Sequence, residues 1–174
     1  MNNNTFVHKY IRPLITENDT CVDMTAGNGN DTLFLSSLSG KVIAFDIQEE
    51  AIRKAKEKTE SCSNIAFICA DHADVDLYVK EKVRLFIFNL GYLPGGDRRI
   101  ITKSANTLQA FQKAYELTAD KGYIVITFYP GHQGGLDEYY LLSRYIHEQQ
   151  ITVIETYHQE KALSPITYII RKSV

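Results

Sequence analysis

Five stretches of this 174-residue chain carry side chains suited to binding a ligand and doing chemistry on it. The first reads Asp23-Met24-Thr25-Ala26-Gly27-Asn28-Gly29-Asn30-Asp31-Thr32. Gly27 and Gly29 permit a tight turn and close backbone approach to a ligand at the start of a helix, with Asn28 and Asn30 beside them. A dinucleotide fingerprint wants Gly or Ala at position 32, where this chain has Thr32. Asp46 comes next, near the ~20-residue offset at which a carboxylate meets ribose hydroxyls, and Gln48 adds a polar contact. Asp71-His72 forms the third stretch, with a carboxylate placed for the amino group of adenine. Taken singly, these are a common turn, a helix cap and a surface turn. In this order they describe an adenosine site.

The fourth stretch reads Phe88-Asn89-Leu90-Gly91-Tyr92-Leu93-Pro94-Gly95, and Arg98 and Arg99 follow it. An asparagine side-chain carbonyl and an adjacent backbone carbonyl can both accept N–H bonds from an amine, which aligns its lone pair for attack. The face of Tyr92 can stack on a base or shield a cation, worth ~0.5–2 kcal/mol. Further on, Tyr129-Pro130-Gly131-His132-Gln133-Gly134-Gly135 sets a histidine in a shaped loop. His132 can take the proton leaving an amine or hydrogen-bond a substrate. Asn89, Tyr92 and His132 are therefore the catalytic candidates. Tyr92, Pro94, Arg98, Arg99 and His132 are the substrate-binding candidates, and Asp23, Gly27, Asn28, Gly29, Asn30, Asp46, Gln48, Asp71, His72 and Asn89 those for the cofactor.

Positioning these residues requires strands that end just before them. Apolar runs at 20–25, 41–46, 64–70, 84–90 and 122–128 read as strands, each closing on one of the stretches above. Helical patterns fall between them at 31–38, with Asn30 or Asp31 as N-cap, and at 48–59, 74–80, 104–117 and 136–148. The 104–117 segment is the clearest, with Ala105, Leu108, Phe111 and Tyr115 on one stripe. Strands at 151–157 and 166–171 have no room for a helix between them and form an antiparallel hairpin. Continuous apolar strands alternating with helices predict an α/β fold: a doubly wound, seven-stranded, mostly parallel sheet with the last strand antiparallel, in a single domain over 1–174. Ligands of such sheets bind beyond the carboxyl ends of the strands.

Composition narrows the class further. Hydrophobic residues make up 44% and charged residues 23%, which excludes a disordered chain. A net charge of −2 means that any nucleic-acid contact is a local patch rather than a bulk attraction. No apolar run approaches the ~18–20 residues of a membrane span, and the first residues lack a signal-peptide pattern, so a cytoplasmic location is expected. Cys21, Cys62 and Cys69 make no C-x-x-C pair, and no Cys/His/carboxylate cluster has zinc spacing; no metal is expected.

The acidic Asp23, the G-x-G turn and the absent third glycine favour S-adenosyl-L-methionine over NAD, and the chain resembles the Rossmann-like class I methyltransferases. Asn89 and Tyr92 match two positions of the Asn/Asp-Pro-Pro-Tyr/Phe motif of amino-methyltransferases, with Leu90 and Gly91 in place of the prolines. The first motif, Phe-Asn-Leu-Gly-Tyr-Leu-Pro-Gly-Gly-Asp and Tyr-Pro-Gly-His-Gln-Gly-Gly together resemble a small bacterial family once labelled rRNA methylase and understood as the MnmM-type methyltransferases of tRNA wobble uridine. The likeness runs over essentially the whole chain. It implies methylation of the exocyclic amine of 5-aminomethyl-2-thiouridine in the anticodon stem-loop of tRNA, with S-adenosyl-L-methionine as donor. By the same likeness Asn28, Asn30, Asp46, Gln48, Asp71 and His72 contact the cofactor, and Asn89 and Tyr92 lie at the methyl-accepting end. One departure is the last hairpin, where Lys161-Ala162-Leu163-Ser164-Pro165 replaces the family's Asn-x-Pro-Pro. Methylation of rRNA or of a small amine, and a non-catalytic nucleotide-binding module, remain alternatives, and a homodimer is expected by analogy alone.

Overall fold

A computed structural model describes residues 1–91 and 104–173. Its sheet contains β1 (Thr20–Asp23), β2 (Lys41–Asp46), β3 (Ile65–Cys69), β4 (Val83–Asn89), β5 (Thr118–Phe128), β6 (Val153–His158) and β7 (Ile166–Arg171). The strand order is β3-β2-β1-β4-β5-β7-β6. Strands β1 to β5 pair in parallel, whereas β7 runs antiparallel to both β5 and β6, so the expected terminal hairpin is present with its second strand inserted next to β5. The chain order reverses between β1 and β4, which opens a crevice above their tips.

Alternation along the strands sorts the core into two layers. Phe45, Phe86, Phe88, Ile124, Ile126 and Phe128 face α4 (Val75–Tyr78), α5 (Ser104–Leu117) and α6 (Gly135–Glu148), where Phe111 and Leu142 meet them. On the other face Cys21, Val42, Leu85, Ile87 and Val125 pack against α1 (Asn3–Ile11) and α2 (Asn30–Ser36), while α3 (Glu49–Lys58) sets Ala55 on Ala44 and Ala26. The same parity sends Asp23, Asp46 and Asn89, at the ends of their strands, to the α1–α3 side.

Helix α1 was not legible in the sequence. Its buried positions are Asn3, Val7 and Ile11, so a polar residue interrupts the apolar stripe that marks a helix. The interruption is satisfied in the interior. Asn3 Nδ2 donates to Thr127 Oγ1 (3.2 Å), Thr167 Oγ1 donates to Asn3 Oδ1 (2.8 Å), and the two threonine hydroxyls meet at 2.8 Å, directly across the β5–β7 pair. Asn2 caps the helix by accepting from the Thr5 N–H, and Phe6 stacks on Tyr157 of β6 at 4.1 Å. A polar triangle inside the core thus fixes the N-terminal helix to the sheet.

Each buried hydrogen bond in that triangle stabilises modestly, but a partner left unsatisfied costs about 1–3 kcal/mol. Thr167→Val should therefore lower stability by about that amount in urea unfolding, with early loss of α1 amide protection in hydrogen exchange. An unchanged midpoint and unchanged protection would show that α1 is held by its apolar face alone.

Candidate active site

The glycine turn is held from three sides. Gly27 and Gly29 have φ of +52° and +77°, and Gly29 itself is the N-cap of α2, so neither Asn30 nor Asp31 caps that helix as its composition suggested. A Cβ at position 29 would lie 2.8 Å from the Ala55 Cα, so α3 can press against the turn only if a glycine stands there. Asp23, 0% exposed, supports the turn from below by accepting from the Thr25 N–H (3.1 Å) and the Thr32 hydroxyl (2.6 Å). Thr32, which looked like a missing glycine, is thus the partner of a buried carboxylate.

Asp46 joins this turn to the tip of β2. Its Oδ2 accepts from the Gly27 N–H and its Oδ1 from the Gln48 N–H, both at 2.9 Å. Burial pushes this carboxyl up, and the backbone N–H groups of Gln48, Gly27 and Ile47 oppose that. Each oxygen retains a lone pair, the requirement for gripping a vicinal diol. Asn28 and Gln48 flank it half-buried, while the side chain of exposed Asn30 accepts from Lys58 of α3, leaving its backbone at the turn.

After β3, Asp71 caps its own turn through the Ala73 N–H (2.9 Å) and accepts from Asn106 Nδ2 of α5 (2.6 Å). His72 is buried, with Nδ1 3.2 Å from the Met24 carbonyl, which makes Nδ1 the protonated nitrogen. Desolvation lowers its pKa, which favours the neutral ring, and Nε2 is a buried acceptor with no hydrogen-bond partner among the described residues. A buried, unpaired acceptor between the glycine turn and β3 fits a ligand bearing donors, as does the free lone-pair capacity of Asp46.

Asn89 closes β4, level with Asp46 on the far side of β1: Asp23 pairs with both Ala44 and Ile87, two residues before each tip. β2 and β4 are two strand spacings apart, roughly 10 Å. The Asn89 N–H donates to Thr25 Oγ1 (2.7 Å), its Nδ2 to Asp31 Oδ2 (3.2 Å), and its Oδ1 accepts from the Tyr129 hydroxyl (2.7 Å). Tyr129 stacks on His132 at 5.0 Å, and burial lowers the His132 pKa and so favours the neutral ring. The structure therefore brings Asn89 and His132 to one locus, with Tyr129 between them.

The departures from the two-proline motif have local causes. The Leu90 N–H donates to the Thr127 carbonyl (3.0 Å), a bond proline cannot make. At Gly91 a Cβ would meet the Tyr129 ring at 3.2 Å. Tyr92, Pro94, Arg98 and Arg99 lie outside the described residues. The residues that sequence reading passed over are His8, Thr25, Asp31 and Tyr129. Asp31 and Tyr129 stand inside the quoted motifs, but nothing in their spacing tells that both reach Asn89.

A glycine turn, a carboxylate at the tip of β2 and an asparagine at the tip of β4, on a sheet of this order, define a class I methyltransferase. The family described as "Putative rRNA methylase" matches residues 42–171, and the chain belongs to it. It is similar to a structure from Clostridium thermocellum described as a "putative rRNA-methylase" (TM-score 0.92, 35% identity, 99% of this chain and 98% of that one). A methyltransferase structure from Streptococcus mutans, in complex with SAH, gives a TM-score of 0.89 at 35% identity, with the same coverage. The chain is also 36% identical, over 75% of its length, to the chloroplastic tRNA (mnm5s2U34)-methyltransferase of Arabidopsis thaliana, of which it spans about half (54%). Among the described residues no helix is long and apolar enough to cross a membrane, and no group of three or more His, Cys, Asp or Glu is placed to hold a metal ion.

Burial, and then the charge of Asp31, pushes the Asp23 carboxyl up to about 7. The folded protein binds this proton more tightly than the unfolded chain, whose Asp23 titrates near 3.8. Asp23 thus withdraws stability as pH rises from about 4 to about 7 and withdraws no more above that. Asp23→Asn, free of this titration, should gain on the wild type by more than about 1 kcal/mol across the same window in chemical denaturation. A pH-independent difference would mean that Asp23 does not titrate there.

Proposed function

We propose that this protein transfers the methyl group of S-adenosyl-L-methionine to the exocyclic amine of 5-aminomethyl-2-thiouridine at the wobble position of tRNA, forming 5-methylaminomethyl-2-thiouridine. The observation that carries the reading is Asn89, fixed at the tip of β4 with Oδ1 held toward Tyr129 and one acceptor position still open. The likeness to the Arabidopsis wobble-uridine enzyme supports the choice of acceptor.

When bound, the cofactor supplies an electrophilic methyl on a sulfonium cation. The chain's own residues do the rest. Asp46 takes the ribose hydroxyls, the Gly27–Gly29 turn gives close backbone approach to the amino-acid portion, and Asp71 and His72 serve the adenine end. Burial, and after it the charges of Asp31 and Asp46, raise the Asp23 pKa, and the negative charge of Asp31 and Asp46 favours a cation beside the turn. Asn89 Oδ1 and the Leu90 carbonyl accept N–H bonds from the amine and leave its lone pair pointing at the methyl. An alkylammonium must lose one proton in the reaction, and neutral His132 beside Tyr129 is suited to take it. Arg98 and Arg99, with Tyr92 and Pro94, are assigned to the anticodon loop: the arginines to phosphates, Tyr92 to the splayed base.

Asn89→Ala should lower methyl transfer about 100-fold, on the order of 3 kcal/mol in the barrier, with affinity for S-adenosylhomocysteine within about threefold of the wild type. The measurement is nucleoside mass spectrometry of tRNA carrying 5-aminomethyl-2-thiouridine after incubation with each protein. Full turnover by the variant would remove Asn89 from the reaction. No product from the wild type on this tRNA, with product on rRNA or small amines, would overturn the substrate assignment.

A further inference from the structure

The amide of Asn89 is useful only one way round. Its oxygen must face the amine, yet an amide can flip, and the rigid prolines that would constrain it in the two-proline motif are absent here. Two residues ahead of the matched family segment supply the constraint. Asp31 Oδ2 lies 3.2 Å from Asn89 Nδ2, and an ionised carboxylate only accepts hydrogen bonds. The amide nitrogen must therefore turn to Asp31, which leaves Oδ1 for Tyr129 and the substrate. Asp31 is in turn held by His8, whose Nε2 lies 2.7 Å from Asp31 Oδ1. The His8 ring stacks flat on Phe34 of α2 at 3.8 Å and 1°, and it rides on α1, fixed to the sheet by the Asn3–Thr127–Thr167 triangle. Pinned at both ends, the carboxylate has little freedom to turn away.

We infer that His8 and Asp31 are positioning residues for methyl transfer, acting through Asn89: Asp31 dictates the orientation of the amide, and His8 holds Asp31 in place to do so. The inference rests on the amine-methylating role given to Asn89 above. The charged groups around the pair are few. Arg12, from the same helix as His8, lies over the Phe34 ring at 5.2 Å. Asp23 of β1 and Tyr129, just after β5, feel the charge of Asp31, and from β6 Tyr157 stacks on Phe6 while Glu155 acts on Tyr10. Among the described residues the donor on Asp31 Oδ1 is thus His8, as Asn89 is on Oδ2, and a glutamine can imitate the histidine, because its amide nitrogen reaches close to the place of the imidazole Nε2.

The test compares wild type with His8→Ala, His8→Gln and Asp31→Asn. His8→Ala should lower kcat about tenfold with cofactor KM and S-adenosylhomocysteine affinity within threefold, and His8→Gln should return kcat to within threefold of wild type. Asp31→Asn, which can offer Asn89 either an oxygen or an NH2, should lower kcat more than His8→Ala. A readout free of substrate accompanies these. In the S-adenosylhomocysteine complex, the Asn89 side-chain amide resonances, assigned by their loss in Asn89→Ala, should shift in His8→Ala and Asp31→Asn and keep nearly their wild-type place in His8→Gln. Wild-type kcat in Asp31→Asn would overturn the inference, as would His8→Gln failing like His8→Ala or amide resonances that do not move. If Asp31→Asn fails to bind the ligand, the two His8 variants decide. Absence of wild-type product on the wobble-uridine substrate would strike the substrate assignment instead, and the amide resonances still decide this one.

Discussion

An acceptor-only carboxylate beside a strand tip leaves the neighbouring amide one way to sit, and the functional architecture of this protein is built around that constraint. Asn89 is reached from four segments: Thr25 from the glycine loop, Asp31 from α2, Tyr129 from the end of β5 and, through Asp31, His8 from α1. The contacts divide the two ends of one side chain, donors to one side and acceptors to the other. Without them Asn89 is a polar residue on a half-buried strand end; with them it is a hydrogen-bond acceptor of defined direction, formed before a substrate arrives. Preorganisation of this kind spares the reaction the entropy of ordering the group during turnover.

Under the proposed function the same residues couple binding to chemistry. Thr25 lies in the turn that Asp23 supports and Asp46 ties to β2, and it also receives the Asn89 N–H. The glycine turn and the tip of β4 therefore share one hydrogen bond, from the Asn89 N–H to the Thr25 hydroxyl, and a disturbance of one reaches the other over a single residue. Electrostatics work in the same direction. Burial first, and then the charges of Asp31 and Asp46, make a negative charge on Asp23 costly, and under the proposed function a sulfonium beside the turn would offset that cost.

Much of this fold was legible because parallel strands covered on both faces are continuous apolar runs, and the first four end on or just before an acid or an asparagine. The positions of Asp46 and Asn89 at the tips of their strands followed from that punctuation, and that of His132 from the glycines and proline that follow β5. What escaped did so for physical reasons. Helix α1 buries an asparagine, and only the threonines brought opposite one another by β5–β7 pairing make that tolerable. Asp31 reads as a helix cap in sequence, but Gly29 caps α2 and frees the carboxylate for His8 and Asn89. Tyr129 is one aromatic in a glycine-rich loop, and its role depends on Gly91 leaving room for its ring. These are contacts between residues 23 to 164 positions apart, beyond any local pattern.

A crystal structure of the complex with S-adenosylhomocysteine tests the central claim most directly. The ribose hydroxyls should lie on Asp46 and the sulfur should face the side-chain oxygen of Asn89, with that amide's nitrogen still on Asp31. Adenosine bound away from Asp46, or an Asn89 amide presenting its nitrogen to the sulfur, would contradict the account.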